Sequence, residues 1–293
     1  MTPGESTVPP CFVIYEPHPD DWVLSMSLAV VDALAKGLDV HLVSMTRGGA
    51  GGPSAVFSGD QVCGWHGYRH NPEREAYTPL TSDDIADLRI AESRSALGAA
   101  AAIPPNPGVA AVGRIYHHVA DLPDGFGGPA GAPPTRAAID AAKTVIAGFI
   151  ERFPNAFHYT MSPSEAYGGH PDHAACGIAL RELKQASKYS PLLPNAAFFV
   201  SKRYWGPPRP AAVQAEYPTW FVAGRIRRAD GSILDRKPEF DALLRTMVAP
   251  CYGAWNPTGL PAKGSAGVGY HQVAGQFANC FGPTIDIANL WHD

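Results

Sequence analysis

The chain has 293 residues, of which 45% are apolar and 17% are charged, and its formal net charge is −4 at pH 7. This charge argues against a surface that neutralises the phosphates of nucleic acid. No apolar run approaches the length of a membrane-spanning helix, which is about 20 residues. We therefore expect a soluble protein without nucleic acid binding or membrane insertion. The five scattered cysteines and the absence of a secretory signal pattern lead us to expect a cytoplasmic location.

Short apolar strands and amphipathic helices alternate along the first two thirds of the chain. The pattern predicts strands over 11–15, 40–45, 114–119, 156–161 and 196–201. It predicts helices over 21–36, 82–101, 135–153 and 173–187, with Ser82 as the cap of the second. Such alternation is typical of an α/β fold with a mostly parallel, open, Rossmann-like sheet and helices on both faces.

Two segments do not follow this alternation. Residues 46–80 are polar and Gly-rich without periodicity, which predicts one large surface loop. Beyond the core at about 11–204, the Pro- and Gly-rich residues 205–293 predict an irregular C-terminal extension, with a helix over 238–248. Because no clear linker separates this extension, we expect one domain over 1–293.

The tripeptide His-Pro-Asp occurs twice, at 18–20 and 170–172, and further potential ligands, Asp21 and His173, follow directly. A single copy is explained well by a helix cap, but both copies follow predicted strands. Both should therefore lie at the same edge of a parallel sheet, where binding crevices form. His18, Asp21 and His173 can supply two imidazoles and one carboxylate, which is the ligand set of an open catalytic zinc site. We expect one Zn²⁺ per chain.

Asp20 and Asp21 cannot face such a metal ion in the same way, because neighbouring side chains at a helix start point about 100° apart. One of them binds the metal, and the other is available for proton transfer. Asp20 with His18 and His173 also fits the two-His, one-carboxylate triad of non-haem iron oxygenases. That triad is commonly mounted on a jelly roll, so the oxygenase is the less favoured alternative.

A second group of potential ligands lies in the predicted loop. Cys63, His66 and His70 have the spacing of metal ligands, but no second pair accompanies them in the loop. We interpret this segment as a substrate-facing loop and keep a second zinc site as the alternative.

Three further residues are candidates for substrate binding. Arg47 and Arg89 are cations near the proposed metal and can hydrogen-bond sugar hydroxyls or an anionic substituent, with surface salt bridges as the alternative. The phenol of Tyr167 can stabilise a tetrahedral oxyanion, or it can simply pack at the sheet edge.

Over roughly residues 11 to 200, the chain resembles the LmbE/PIG-L zinc-dependent N-deacetylases. The likeness rests on HPDD at 18–21 and HPDH at 170–173, in that order. TRGG at 46–49 and Arg-x-x-Glu at 89–92 lie between these motifs and add to the likeness.

The resemblance implies the LmbE-like fold and hydrolysis of an N-acetyl group, usually on glucosamine. It implies that the zinc ligands are His18, Asp21 and His173. In the same comparison Asp20 corresponds to the general base and His170 to the general acid or oxyanion stabiliser, and we expect His170 to act as an imidazolium. Asp172 would orient or tune His170.

The sequence departs from this family at Trp22, where Glu is usual, and in its C-terminal part, where the family's pattern is not recognisable. A bulky Trp22 suggests a pocket for a substrate larger or less polar than N-acetylglucosamine. We therefore expect an N-acylated amino sugar within a larger natural product or thiol conjugate. A catalytically inactive binding relative is a further alternative.

Overall fold

The computed structural model describes residues 10–50, 52–75, 77–154, 156–164, 170–201, 219–253 and 267–292. The strands are β1 (Phe12–Glu16), β2 (Val40–Thr46), β3 (Ile115–Leu122), β4 (Phe157–Met161), β5 (Ala196–Phe199), β6 (Thr219–Trp220), β7 (Arg225–Arg227), β8 (Ile233–Asp235) and β9 (Leu290–His292). The α-helices are α1 (Asp21–Ser25), α2 (Ser27–Ala35), α3 (Gly52–Phe57), α4 (Pro72–Glu75), α5 (Ser82–Ala100), α6 (Arg136–Arg152), α7 (Pro171–Gln185), α8 (Lys237–Leu243) and α9 (Val268–Phe281).

Seven strands form the main sheet in the order β3-β2-β1-β4-β5-β9-β6. The first five are parallel to one another, which confirms the predicted fold class. The strand order reverses between β1 and β4, and an open α/β sheet forms its ligand crevice at such a switch point. β9 and β6 add to the far edge in antiparallel orientation, so the C-terminal extension contributes strands to this sheet.

Alternate residues of β1 enter two different cores, because successive side chains of a strand point to opposite faces of the sheet. Ile14 belongs to the core that includes residues of α2, α5, α8 and α9. Val13 belongs to the core that includes residues of α6 and α7. Helices therefore cover both faces of the sheet, as predicted. Among the described helices, none combines the length and apolar character needed to cross a membrane.

Local structure differs from the sequence-based prediction in several places. The helix expected over 21–36 is divided at Met26, whose backbone is not helical. The segment 46–80 contains two short helices, α3 and α4, and contributes Phe57 to a buried core cluster, so it is not simply a surface loop. The cap of α5 is Thr81, which forms a capping box with Asp84. In the extension, α9 forms despite the glycines within it.

Trp22 is fully buried in the core on the α5 side of the sheet, and its indole nitrogen donates a hydrogen bond to Ser93 Oγ at 3.1 Å. Replacing Trp22 by alanine should lower the free energy of unfolding by about 3–5 kcal/mol, the usual cost of deleting a buried large aromatic side chain. Urea denaturation measures this change. Trp65→Ala serves as the comparison because Trp65 is only partly buried, and an equal or smaller loss in Trp22→Ala would contradict the assignment.

Candidate metal and catalytic site

The carboxyl ends of four parallel strands meet at one edge of the sheet, and β1 and β4 bring most of the predicted site residues there. His18 follows β1, Gly48 follows β2, Asp124 follows β3, and the segment 170–173 begins α7 after β4. This edge includes the switch point between β1 and β4. Both His-Pro-Asp motifs therefore meet there. A ring nitrogen of His18, in the first motif, contacts a ring nitrogen of His173, which directly follows the second.

Three side-chain atoms from the two motifs lie at the mutual distances expected around one metal ion. Asp21 Oδ2 is 3.1 Å from His18 Nδ1 and 3.2 Å from His173 Nε2, and the two ring nitrogens are 3.2 Å apart. Ligand atoms at 2.0–2.1 Å from a tetrahedral zinc ion would be about 3.4 Å from one another. The donor set therefore fits an open zinc site with three protein ligands.

The electrostatics of the site also suit a cation. Asp20, Asp21, Asp124 and Asp172 are buried or nearly so, whereas Arg89 is the permanent cation that contacts this group among the described residues. Burial alone would raise the pKa of Asp21, but the adjacent His173 and His18 lower it well below its usual value. A lowered pKa favours the ionised carboxylate, which is the form that binds a metal.

Asp172 holds His18 in place from the other side of its ring. Its Oδ2 lies 3.2 Å from His18 Nε2, and its two oxygens accept hydrogen bonds from the backbone N–H groups of Gly125 at 2.9 Å and Gly127 at 2.6 Å. The predicted partner, His170, is farther away, with Nδ1 at 3.8 Å. A carboxylate on the outer nitrogen of a ligating histidine fixes its orientation. The geometry therefore favours His18 as the residue that Asp172 orients.

Asp124 is a site residue that the sequence reasoning missed. Its Oδ1 is 3.3 Å from His18 Nε2, and its Oδ2 accepts a hydrogen bond from the backbone N–H of Ala50 at 2.7 Å. Burial favours a higher pKa, but the hydrogen bond with His18 and the charges of His18 and Arg89 lower it to about 2. An acidic residue directly after a parallel strand was the signal that could have identified it.

His170 is the most exposed of these histidines, with 41% of its side chain accessible, and it caps α7 by accepting the backbone N–H of Asp172 at Nδ1. Burial and the neighbouring His18 and His173 lower its pKa to about 4. A cation bound at His18 and His173 would lower the pKa of His170 further. The neutral ring then carries its hydrogen on Nε2, so the structure favours a neutral hydrogen-bond donor over the expected imidazolium.

Asp20 is held by Arg89, which lies on α5 with its guanidinium buried. Arg89 donates to Asp20 Oδ1 at 2.6 Å and to the carbonyl oxygen of Gly48 at 3.0 Å. Gly48 has a φ of +70°, and a Cβ at this position would clash with the guanidinium. This glycine in the TRGG segment therefore allows Arg89 to approach. The arrangement lets Arg89 hold Asp20 in position, and the predicted contact of Arg89 with substrate stays a prediction.

The remaining candidates are placed as follows. Arg47 is partly exposed and pairs with Asp87 on α5, which corresponds to the salt-bridge alternative. Tyr167 lies outside the described residues.

Trp22 faces the core and not this site. It therefore does not shape a larger pocket, and the expectation drawn from its difference from Glu is corrected. Tyr252 in the C-terminal extension was not anticipated, and its hydroxyl donates to the carbonyl oxygen of Pro19 at 2.8 Å.

Comparison with solved structures supports the fold. A deacetylase–teicoplanin complex from the teicoplanin biosynthetic pathway has 16% sequence identity and a TM-score of 0.50, covering 96% of each chain. A deacetylase–bog complex from the same pathway has 15% sequence identity and a TM-score of 0.50, and it also covers 96% of each chain.

Sequence comparison gives the family. The search of curated proteins finds no significant match. The family model described as PIG-L, GlcNAc-PI de-N-acetylase, matches residues 13–184. This range is more than half of the chain and contains both His-Pro-Asp motifs with the three candidate ligands. The chain therefore belongs to the PIG-L family of de-N-acetylases.

Proposed function

We propose that this protein is a zinc-dependent hydrolase that removes an N-acetyl or other N-acyl group from an amino sugar or an amino-sugar conjugate. Membership of a de-N-acetylase family supports the reaction class. The observation that carries the proposal is the contact of His18, Asp21 and His173, whose donor atoms lie 3.1–3.2 Å apart. A cytoplasmic location and a single-domain organisation remain predictions.

The chain's own residues divide the work of the site between binding and proton transfer. Zinc held by His18, Asp21 and His173 would polarise the amide carbonyl and lower the pKa of a water molecule toward neutrality. Asp172 and Asp124 face the outer nitrogen of His18 and keep its inner nitrogen directed toward the other two ligands.

Asp20 is the proposed general base. Arg89 fixes its Oδ1, so we assign Oδ2 to accept the proton of the attacking water as the new carbon–oxygen bond forms. The same carboxyl group then returns this proton to the departing nitrogen as the carbon–nitrogen bond breaks. His170 Nε2–H donates a hydrogen bond to the developing oxyanion, which is the role that its neutral state permits. The products are a carboxylic acid and a free amine.

The proposed substrate is an N-acylated amino sugar that forms part of a larger molecule. Structures that share the fold include a deacetylase in complex with teicoplanin. Segment 46–80 and the C-terminal extension both reach the site, through Gly48 and Tyr252. They can therefore contact the parts of a substrate that lie beyond the acylated sugar.

A substrate panel tests this proposal. Zinc-loaded protein is assayed for acid release from free N-acetylglucosamine, from conjugates with an apolar aglycone, and from the same conjugates with longer acyl chains. We expect a higher kcat/KM for at least one conjugate than for the free sugar. Oxygen consumption in an iron-loaded sample without acid release would instead favour the oxygenase, and stoichiometric binding without product would favour an inactive relative.

A further inference from the structure

A second cluster of metal-binding side chains lies outside the site described above. It consists of one cysteine and three histidines, which we call the cysteine–histidine cluster: Cys63, His66, His70 and His271. One donor atom from each residue lies within 4.8 Å of every other, and His66 Nδ1 is 3.2 Å from His70 Nε2. Around a tetrahedral zinc ion, nitrogen atoms would be about 3.4 Å apart and sulfur and nitrogen about 3.6 Å apart. The His66–His70 pair is close to this spacing, and the other donor atoms lie within 4.8 Å of one another.

Backbone structure brings the first three residues together. Val62 and Arg69 form an isolated antiparallel bridge, and the N–H of Cys63 donates to the carbonyl oxygen of Tyr68 at 2.8 Å. Cys63 lies within this narrow turn, and His70 follows directly after it. His271, in the first turns of α9, approaches from the C-terminal part of the chain.

The contacts around the cluster are those of a metal site's outer shell. His70 Nδ1 lies 2.9 Å from the carboxylate of Glu75, and His271 Nδ1 lies 2.8 Å from the carbonyl oxygen of Gly267. These contacts place a hydrogen on each Nδ1 and leave Nε2 as the nitrogen that can bind a metal. The backbone N–H of His66 also points at Cys63 Sγ, at 3.4 Å, which favours a thiolate.

The burial of the cluster suits a structural site. Cys63, His70 and His271 are almost completely buried, and His66 is partly exposed. Four protein ligands leave no coordination position for a substrate, unlike the three ligands of the first site. A thiolate with imidazoles favours zinc over the hard cations that prefer oxygen ligands.

We propose that the cysteine–histidine cluster binds a second, structural zinc ion. The ion would join the segment 52–75 to α9, two parts of the chain that are distant in sequence. α9 is also tied to α5, because the N–H groups of Val268 and Gly269 donate to the carboxylate of Glu92 at 2.6 and 3.1 Å. Glu92 lies one helical turn after Arg89, which positions Asp20. The second zinc would thus stabilise the elements that support the first site.

Metal content and cobalt spectroscopy of the full-length protein test this proposal without measuring activity. We expect two zinc ions per chain in the wild type and one in a His18→Ala/His173→Ala double variant. After replacement by Co²⁺, both proteins should show a thiolate-to-cobalt charge-transfer band, because only the second site contains sulfur. Cys63→Ser should lose this band, and the matched control Cys251→Ser should keep it, since Cys251 lies outside the cluster.

Two further variants keep the test decisive if Cys63→Ser does not fold. Glu75→Gln should weaken zinc binding at the second site about 10- to 100-fold, as removal of an outer-shell carboxylate does elsewhere. His66→Ala removes the partly exposed ligand and should weaken zinc binding at the second site more than Glu75→Gln does. A folded, cobalt-loaded wild type without the charge-transfer band would overturn the proposal and leave the rings as a hydrogen-bonded group. Acid release by the first site would be unaffected by that result, so the two proposals can fail separately.

Discussion

Replacing His173 by alanine should remove the zinc of the first site and nearly all hydrolytic activity. His173 Nε2 contributes one of three donor atoms that lie 3.1–3.2 Å from one another, and two remaining ligands would hold the ion poorly. Loss of the metal removes several kcal/mol of transition-state stabilisation, which corresponds to about a thousandfold or more in kcat/KM. Elemental analysis and steady-state kinetics measure both effects.

His118→Ala is a suitable control for this variant. His118 lies on β3, where it contacts His41 at 3.1 Å and belongs to neither cluster. It should keep the wild-type metal content and kcat/KM. If His173→Ala retained the metal content of the wild type and its activity, the ligand assignment would be wrong.

Asp20→Asn should leave the zinc content unchanged and reduce kcat about 10²- to 10⁴-fold, the usual range for loss of a general base. Asparagine keeps the shape of the side chain and can still accept from Arg89, but it cannot take up a proton. KM should change little because the substrate contacts remain. Zinc analysis with kcat and KM separates these effects.

Two neighbouring carboxylates provide the comparisons for Asp20. Asp21→Asn should lose zinc as well as activity, because Asp21 Oδ2 contacts both candidate histidine ligands. Asp87→Asn, at an exposed carboxylate on α5 that pairs with Arg47, should behave as wild type. Loss of zinc in Asp20→Asn, together with its retention in Asp21→Asn, would mean that the two roles are exchanged.

The parts of the fold that were predictable are those whose signal is local. β1 begins with four apolar residues and ends just before a proline-containing turn, and all five of its residues are buried. α6 begins at the cap Thr135 and repeats its apolar residues at helical spacing. α9 gave no such signal, since its glycines and its non-helical residue Val273 obscure the periodicity.

The candidate site was predictable where two sequence motifs follow strands, and not where a contact depends on tertiary packing. His18, Asp21 and His173 lie in repeated motifs whose positions in a parallel sheet predict their meeting. His271 has no motif of its own, and only the folded chain brings it to its cluster. Asp124 offered only its position after a strand, and its contact with His18 depends on the folded chain.

Trp22 shows how the sequence could mislead about the same region. The difference from Glu at this position suggested an altered pocket, but Trp22 follows the candidate ligand Asp21 on α1 and its side chain therefore points in another direction. It packs in the core and contacts Ser93 of α5.

The most direct test of the central claim is the stoichiometry and metal dependence of acid release from N-acetyl amino-sugar conjugates. We predict equal amounts of acetate and free amine, loss of both after chelation, recovery on addition of zinc, and no oxygen consumption. Failure of fully zinc-loaded, folded protein to release acid from any N-acyl amino sugar or conjugate would contradict the proposed function.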